Sequence, residues 1–135
     1  LLASSAASDV YKRQVVYCDI TGLKKVNDEQ GHEAGDRLII RECECLAGVF
    51  KGYGLYRIGG DEFLVLCLGI EEKDLREHVE KLRMDMKEHQ VTMAVGMIWK
   101  EHGPKDIDLL LNESERLMYE DKDRYYKEHG LKRRR

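Results

Sequence analysis

The sequence predicts an α/β domain of the α+β kind: a split β-α-β, ferredoxin-like sheet with helices packed on one face. Three observations lead there. Apolar patterns of period two and period 3.6 follow one another in the order β-α-α-β-β-α-β-α. The 135 residues fit one domain large enough to bury a core. No internal repeat or linker breaks the run. The right-handed crossover rule then makes the first two strands parallel, with the third strand between them.

Taken in order, residues 15–18 (Val-Val-Tyr-Cys) form a short apolar strand ending at Asp19. Residues 22–30 form a turn and a short helix. Residues 33–50 have helical spacing, with Ile39, Cys43, Leu46 and Phe50 on one face. Residues 53–58 carry a weak strand pattern and 63–68 a strong one, so the two read as a hairpin. Residues 73–89 form an amphipathic helix with Leu75, Val79, Leu82 and Met86 inward. Residues 91–99 alternate: Val91, Met93, Val95, Met97 and Trp99 on one side, Thr92, Ala94, Gly96 and Ile98 on the other. Residues 107–125 form the final helix, striped by Ile107, Leu110, Leu111, Ser114, Met118 and Tyr125.

Composition narrows the function. Hydrophobic content is 42% and charged content 36%, as expected of a soluble domain with charged helix faces. A net charge of −3 without a dominant basic patch argues against general nucleic-acid binding. No apolar run approaches membrane-spanning length, so no membrane contact is expected of this domain. The four cysteines make no Cys-x-x-Cys pair and read as buried thiols of a reducing, cytoplasmic protein. Residues 1–13 show little periodicity and read as a non-native or disordered leader. Residues 14–130 form the domain, and 131–135 a basic, frayed tail.

The chemistry concentrates at residues 57–63, Arg-Ile-Gly-Gly-Asp-Glu-Phe. Glycines permit positive φ and leave room for a close ligand, and two-residue hairpin turns favour them. The hairpin tip would carry Asp61 and Glu62 beside bare backbone at Gly59 and Gly60. An ordinary turn uses the same residue types, but topology adds a second carboxylate: the first strand ends at the same sheet edge, so Asp19 and Asp61 should converge. One or two carboxylates, completed by phosphates and water, are how Mg²⁺ is commonly held. In nucleotidyl transfer a metal pair activates the attacking oxygen and stabilises the leaving one. Glu62 is a third acid in reach. Lys24 is placed to neutralise phosphate charge, and backbone amides near Gly22 and Leu23, at a helix start, to cradle phosphate oxygens.

With these residues, the chain resembles the GGDEF family, the diguanylate cyclases. Residues 59–63 match the family signature in full. The stretch 18–28, Cys-Asp-Ile-Thr-Gly-Leu-Lys-Lys-Val-Asn-Asp, is similar to the family's metal and phosphate segment; 31–36 and 118–122 match two further blocks. The resemblance covers about residues 14–130. It implies a palm-type, nucleotide-cyclase-like fold that condenses two GTP into cyclic di-GMP with release of pyrophosphate, using Mg²⁺ or Mn²⁺. It implies metal binding by Asp19, the Ile20 carbonyl and Asp61, with Glu62 binding metal or assisting deprotonation of the attacking 3′-hydroxyl. It implies phosphate contacts from Lys24 and Lys122, and guanine recognition by Asn27 and Asp36. Guanine's N1–H and N2–H donors suit Asp36, and its acceptors suit the Asn27 amide. Because each subunit would carry one GTP, a homodimer is implied. The signalling inputs of such domains come from sensor domains, and none is expected within this chain.

Four departures stand out. Thr21 occupies a place where many members have a second Asp. Tyr126 stands where many have Arg, a role a neighbour such as Arg124 would have to fill. Phe50 and Tyr53 replace the Arg-x-x-Asp of the inhibitory product site, so no product inhibition is expected through it. The segment that normally precedes the first strand is replaced by residues 1–13. Two other functions stay open on the residues: a GTP-binding regulatory module without turnover, and a structural dimerisation domain without GTP affinity.

Overall fold

A computed structural model describes residues 13–101 and 107–131. Four strands and four helices follow one another: β1 (Arg13–Ile20), α1 (Leu23–Gln30), α2 (His32–Val49), β2 (Gly54–Arg57), β3 (Glu62–Leu66), α3 (Glu72–Glu88), β4 (Met93–Lys100) and α4 (Ile107–Glu128). The strands form one sheet in the order β2-β3-β1-β4. Every neighbouring pair is antiparallel. β1 and β2 therefore run parallel with β3 between them, as the crossover rule requires. The expectations at residues 1–12, 102–106 and 132–135 lie outside the described residues.

The helices do not share one face, which corrects the expectation from sequence. One face of the sheet carries Val16, Cys18, Ile20, Phe63, Val65 and Val95 and packs against Leu38 and Leu46 of α2 and Leu75 and Leu82 of α3. The other face carries Val15, Tyr17, Leu64, Ala94 and Ile98 and is covered by Leu110 and Met118 of α4. Apolar residues alternate to both sides of β1 and β4, so each strand needs a cover on each side. The alternation along β4 already holds this information: both of its sides are apolar or small.

Local causes set the elements. α3 buries Leu75, Val79, Leu82 and Met86, the stripe its spacing predicts. Glu72 and Asp74 lie in its first turn and Lys87 in its last, matching the helix dipole. α2 buries Leu46, and Phe50 at its end, as its spacing predicts, but the inward face is rotated from the expected one. Leu38, Glu42, Cys45, Leu46 and Val49 are buried, while Ile39 and Cys43 are only partly so. Trp99 donates its ring N–H to the Ile70 carbonyl at 2.8 Å, tying β4 to the start of α3. At Gly96 strand packs against helix backbone to backbone: a Cβ would sit 2.2 Å from the Ser114 carbonyl oxygen and 2.4 Å from the Met118 amide. Strand and helix backbones meet there with no room for a side chain.

Candidate functional site

The site forms where β1, the β2–β3 loop and α4 meet. Asp19 and Glu62 are direct cross-strand partners in the β1–β3 register. The Ile20 amide donates to the Asp61 carbonyl at 2.9 Å, and the Thr21 amide to the Thr92 carbonyl at 2.8 Å. These bonds pin the end of β1 between the loop and β4. One ligand atom each from Asp19, Asp61 and Glu62 lies within 4.8 Å of the others. The convergence of Asp19 and Asp61 expected from topology is therefore present, with Glu62 beside them.

The hairpin differs from the expectation in two ways. Its loop, residues 58–61, sits one residue earlier than the strand patterns place it, so Glu62 is the first residue of β3 rather than part of the tip. Neither Gly59 nor Gly60 has positive φ. A Cβ at Gly60 would meet nothing within 4 Å, and one at Gly59 would make only ordinary contact with Glu62. These glycines leave open space beside the acids rather than relieve backbone strain. The loop is held by Arg57, whose guanidinium donates to the carbonyls of Gly59 at 3.2 Å and Gly60 at 2.7 Å.

Asp19 is 3% exposed. Its Oδ2 accepts from Lys122 Nζ at 3.0 Å, while Oδ1 is buried with no hydrogen-bond partner. Burial raises the Asp19 carboxyl to about 6; Lys122 pulls it down and neighbouring Asp61 pushes it up. Three carboxylates against one lysine, with a buried oxygen left over, form a donor set short of positive charge. Hard oxygen ligands of this kind fit Mg²⁺ or Mn²⁺. Thr21, in place of a further acid, keeps its hydroxyl buried and also without a partner.

A second cluster lies between α1 and α2. Gly22 caps α1 with φ +83°, a left-handed turn open to glycine, and nothing lies within 4 Å of where a Cβ would be. Leu23 opens the helix, packing partly against the core, and Lys24 is exposed in its first turn. Asn27 is half-buried on α1, and Asp36 is exposed near the start of α2. Gly35, next to Asp36, lies directly under the Asn27 amide. A Cβ there would fall 1.7 Å from Asn27 Oδ1. On α4, Arg124 pairs with Asp121 at 3.1 Å, and Tyr126 packs edge-on against Tyr125.

Sequence reasoning missed three neighbours of the acids. Tyr17 donates its hydroxyl toward Glu62 Oε2 at 2.5 Å, and Glu115 Oε2 lies 3.0 Å from the same hydroxyl. Burial and the two carboxylates push the Tyr17 phenol far above its usual range. Spacing could have revealed both: Tyr17 is two residues before Asp19 on a strand, and Glu115 is two helical turns before Lys122. The third is Glu42 on α2, fully buried with neither carboxylate oxygen partnered. Burial raises it to about 9, with Asp19 and Asp61 adding to the rise and Arg57 opposing it. Helical spacing does place Glu42 on the stripe of Leu38, Cys45, Leu46 and Val49; its charge is what hides it, since an acid on an apolar stripe is rarely buried.

The family model described as "Diguanylate cyclase, GGDEF domain" matches residues 2–127, and the chain belongs to this family. It is 30% identical over 128 residues to MucR of Pseudomonas aeruginosa, a bifunctional diguanylate cyclase/cyclic di-GMP phosphodiesterase, covering 87% of this chain and 18% of that protein. It is 27% identical over 122 residues to the diguanylate cyclase DgcP of Escherichia coli, covering 83% of this chain and 36% of the relative. The chain thus spans about a fifth to a third of the length of these relatives. Its fold is similar to the active GGEEF domain of a diguanylate cyclase from Vibrio cholerae, with TM-score 0.75 and 23% identity over 84% of this chain and 78% of that one. No described helix is long and apolar enough to cross a membrane.

Proposed function

We propose that this domain is a diguanylate cyclase condensing two GTP into cyclic di-GMP and pyrophosphate. One observation carries the reading: Asp19, Asp61 and Glu62 converge around a buried, unpartnered Asp19 oxygen. Asp19, Asp61, Glu62 and the Ile20 carbonyl would hold Mg²⁺ or Mn²⁺. When bound, that cation supplies charge for the triphosphate and acidifies the attacking hydroxyl. Asn27 and Asp36 bind the guanine edge, which sets the base. Lys24, Lys122 and the amides at Gly22 and Leu23 hold the phosphates. Gly59 and Gly60 leave the space the nucleotide enters. Glu62 takes the proton of the 3′-hydroxyl as it attacks the α-phosphate of the GTP on a facing subunit, and pyrophosphate leaves. The working unit is a homodimer in the cytoplasm.

A second reading, a GTP-binding regulatory module without turnover, is favoured by α4. Tyr126 offers no charge, and Arg124 is engaged with Asp121. The test is incubation of the concentrated domain with GTP and Mg²⁺, with product read by mass spectrometry. Cyclic di-GMP that disappears in Asp61→Ala and Glu62→Ala, and on chelation of the metal, is the expected outcome. GTP binding without product selects the regulatory module.

A further inference from the structure

We propose that Tyr17, held from behind by Glu115, is a positioning residue that orients the Glu62 carboxylate toward the Asp19–Asp61 pair. The inference rests on the cyclase reading for its consequence but on geometry for its content.

Tyr17 lies on the α4 face of β1, 5% exposed, with its register partners Leu64 on β3 and Gly96 on β4. Asp19 is two residues on, on the same face, and Glu62 is directly across from Asp19. A phenol carries one proton, and two carboxylates compete for it here. Glu62 Oε2 is the nearer at 2.5 Å, and Glu115 Oε2 is at 3.0 Å. A carboxylate that accepts through one oxygen is fixed in rotation about its last bond, and its other oxygen is aimed. With Oε2 held by Tyr17, the second oxygen of Glu62 is left for the acid cluster. Partners that orient ligating carboxylates in this way typically change metal affinity about ten- to a hundredfold when removed.

Glu115 reaches the hydroxyl because α4 sits so close to β4 at Gly96, the strand neighbour of Tyr17. It gives the hydroxyl a second polar contact from the far side, which limits the arc the ring oxygen can sweep. A purely space-filling role would need only the ring. A phenylalanine would fill the same space and leave Glu62 free to rotate.

The test measures Mn²⁺ held by the chain in the presence of a non-hydrolysable GTP analogue, from the electron paramagnetic resonance signal of free Mn²⁺. Tyr17→Phe is expected to weaken Mn²⁺ binding about ten- to a hundredfold, and to add nothing in a Glu62→Gln background. Unchanged binding in Tyr17→Phe overturns the proposal, as does an equal loss with and without the Glu62 carboxylate. Thermal melts confirm that each variant folds. Should Tyr17→Phe not fold, Glu115→Gln decides. Its amide can donate to the phenol oxygen and leave the Tyr17 proton to Glu62, so binding at least as tight as in the unaltered chain is expected, and weakening overturns the inference. Failure of the cyclase reading looks different: an unaltered chain that binds Mn²⁺ with the analogue yet makes no cyclic di-GMP. An unaltered chain that binds no Mn²⁺ overturns both.

Discussion

Gly35 shows how one missing side chain sets the position of a neighbouring amide. The Asn27 amide occupies the volume that any Cβ at position 35 would claim, with 1.7 Å between them. A gap that small cannot be absorbed by a rotamer adjustment of a few tenths of an ångström, so the amide must leave. Gly35→Ala is expected to weaken GTP binding by about 0.5–1.5 kcal/mol, the worth of the hydrogen bond the displaced amide would no longer make. Isothermal titration with GTP checks it. Because only the Asn27 amide, which we propose reads the base, has to move, Mn²⁺ binding at the proposed Asp19–Asp61 site in the nucleotide-free chain should be unaffected, which separates a lost guanine contact from a misfolded domain.

At the scale of elements, α4 supplies both Lys122 and Glu115, so its seat on the sheet sets the charge around the acids. That seat is Gly96, whose Cβ would strike helix backbone rather than a yielding side chain. Gly96→Ala is expected to destabilise the domain by about 1–3 kcal/mol, read as a lowered midpoint in urea. It should also loosen the 3.0 Å Lys122–Asp19 pair, read as a lost preference for phosphate-bearing ligands over guanosine. The elements differ in how visible they were beforehand. α3 announced its buried face because four apolar residues recur at helical spacing among charges. The parallel β1 and β2 with β3 between followed from connection handedness alone. α2 misled because Ile39 and Cys43 are apolar but only partly covered, while the buried face includes a glutamate. Helices cover both faces because β1, β3 and β4 carry apolar residues on both sides, a fact the order of elements does not encode. The acids at 19, 61 and 62 were readable as a group because the signature and the sheet edge agree. Tyr17 and Glu115 have telling spacings from Asp19 and Lys122, but their contacts with each other and with Glu62 join residues distant in sequence. Gly35 acts through the packing of α2 against Asn27 of α1, which spacing alone does not show.

For the molecule as a whole, the group that most shapes its response to pH is Glu42. A carboxyl sealed between helix and sheet without a donor is held protonated, and its value of about 9 lies above the ordinary 4.5. The unfolded chain ionises this group above about 4.5, whereas the folded chain keeps its proton to about 9. Stability from this group is therefore full at the acidic end and is lost as pH rises across that window. Glu42→Leu removes the slope and the unpartnered oxygens together. It is expected to stabilise the domain at neutral pH by about 1–3 kcal/mol, with the gain growing toward pH 9. Denaturant midpoints measured at intervals across the range check it, and a variant with the same slope as the unaltered chain would refute it.

The same carboxyl makes the heat of unfolding depend on the solvent's own chemistry. At neutral pH each molecule that unfolds hands the Glu42 proton to the buffer. Tris takes up protons with a large release of heat and phosphate with little. A calorimeter should therefore record a smaller unfolding enthalpy in Tris than in phosphate at the same pH and midpoint temperature, although the protein has undergone the same transition in both.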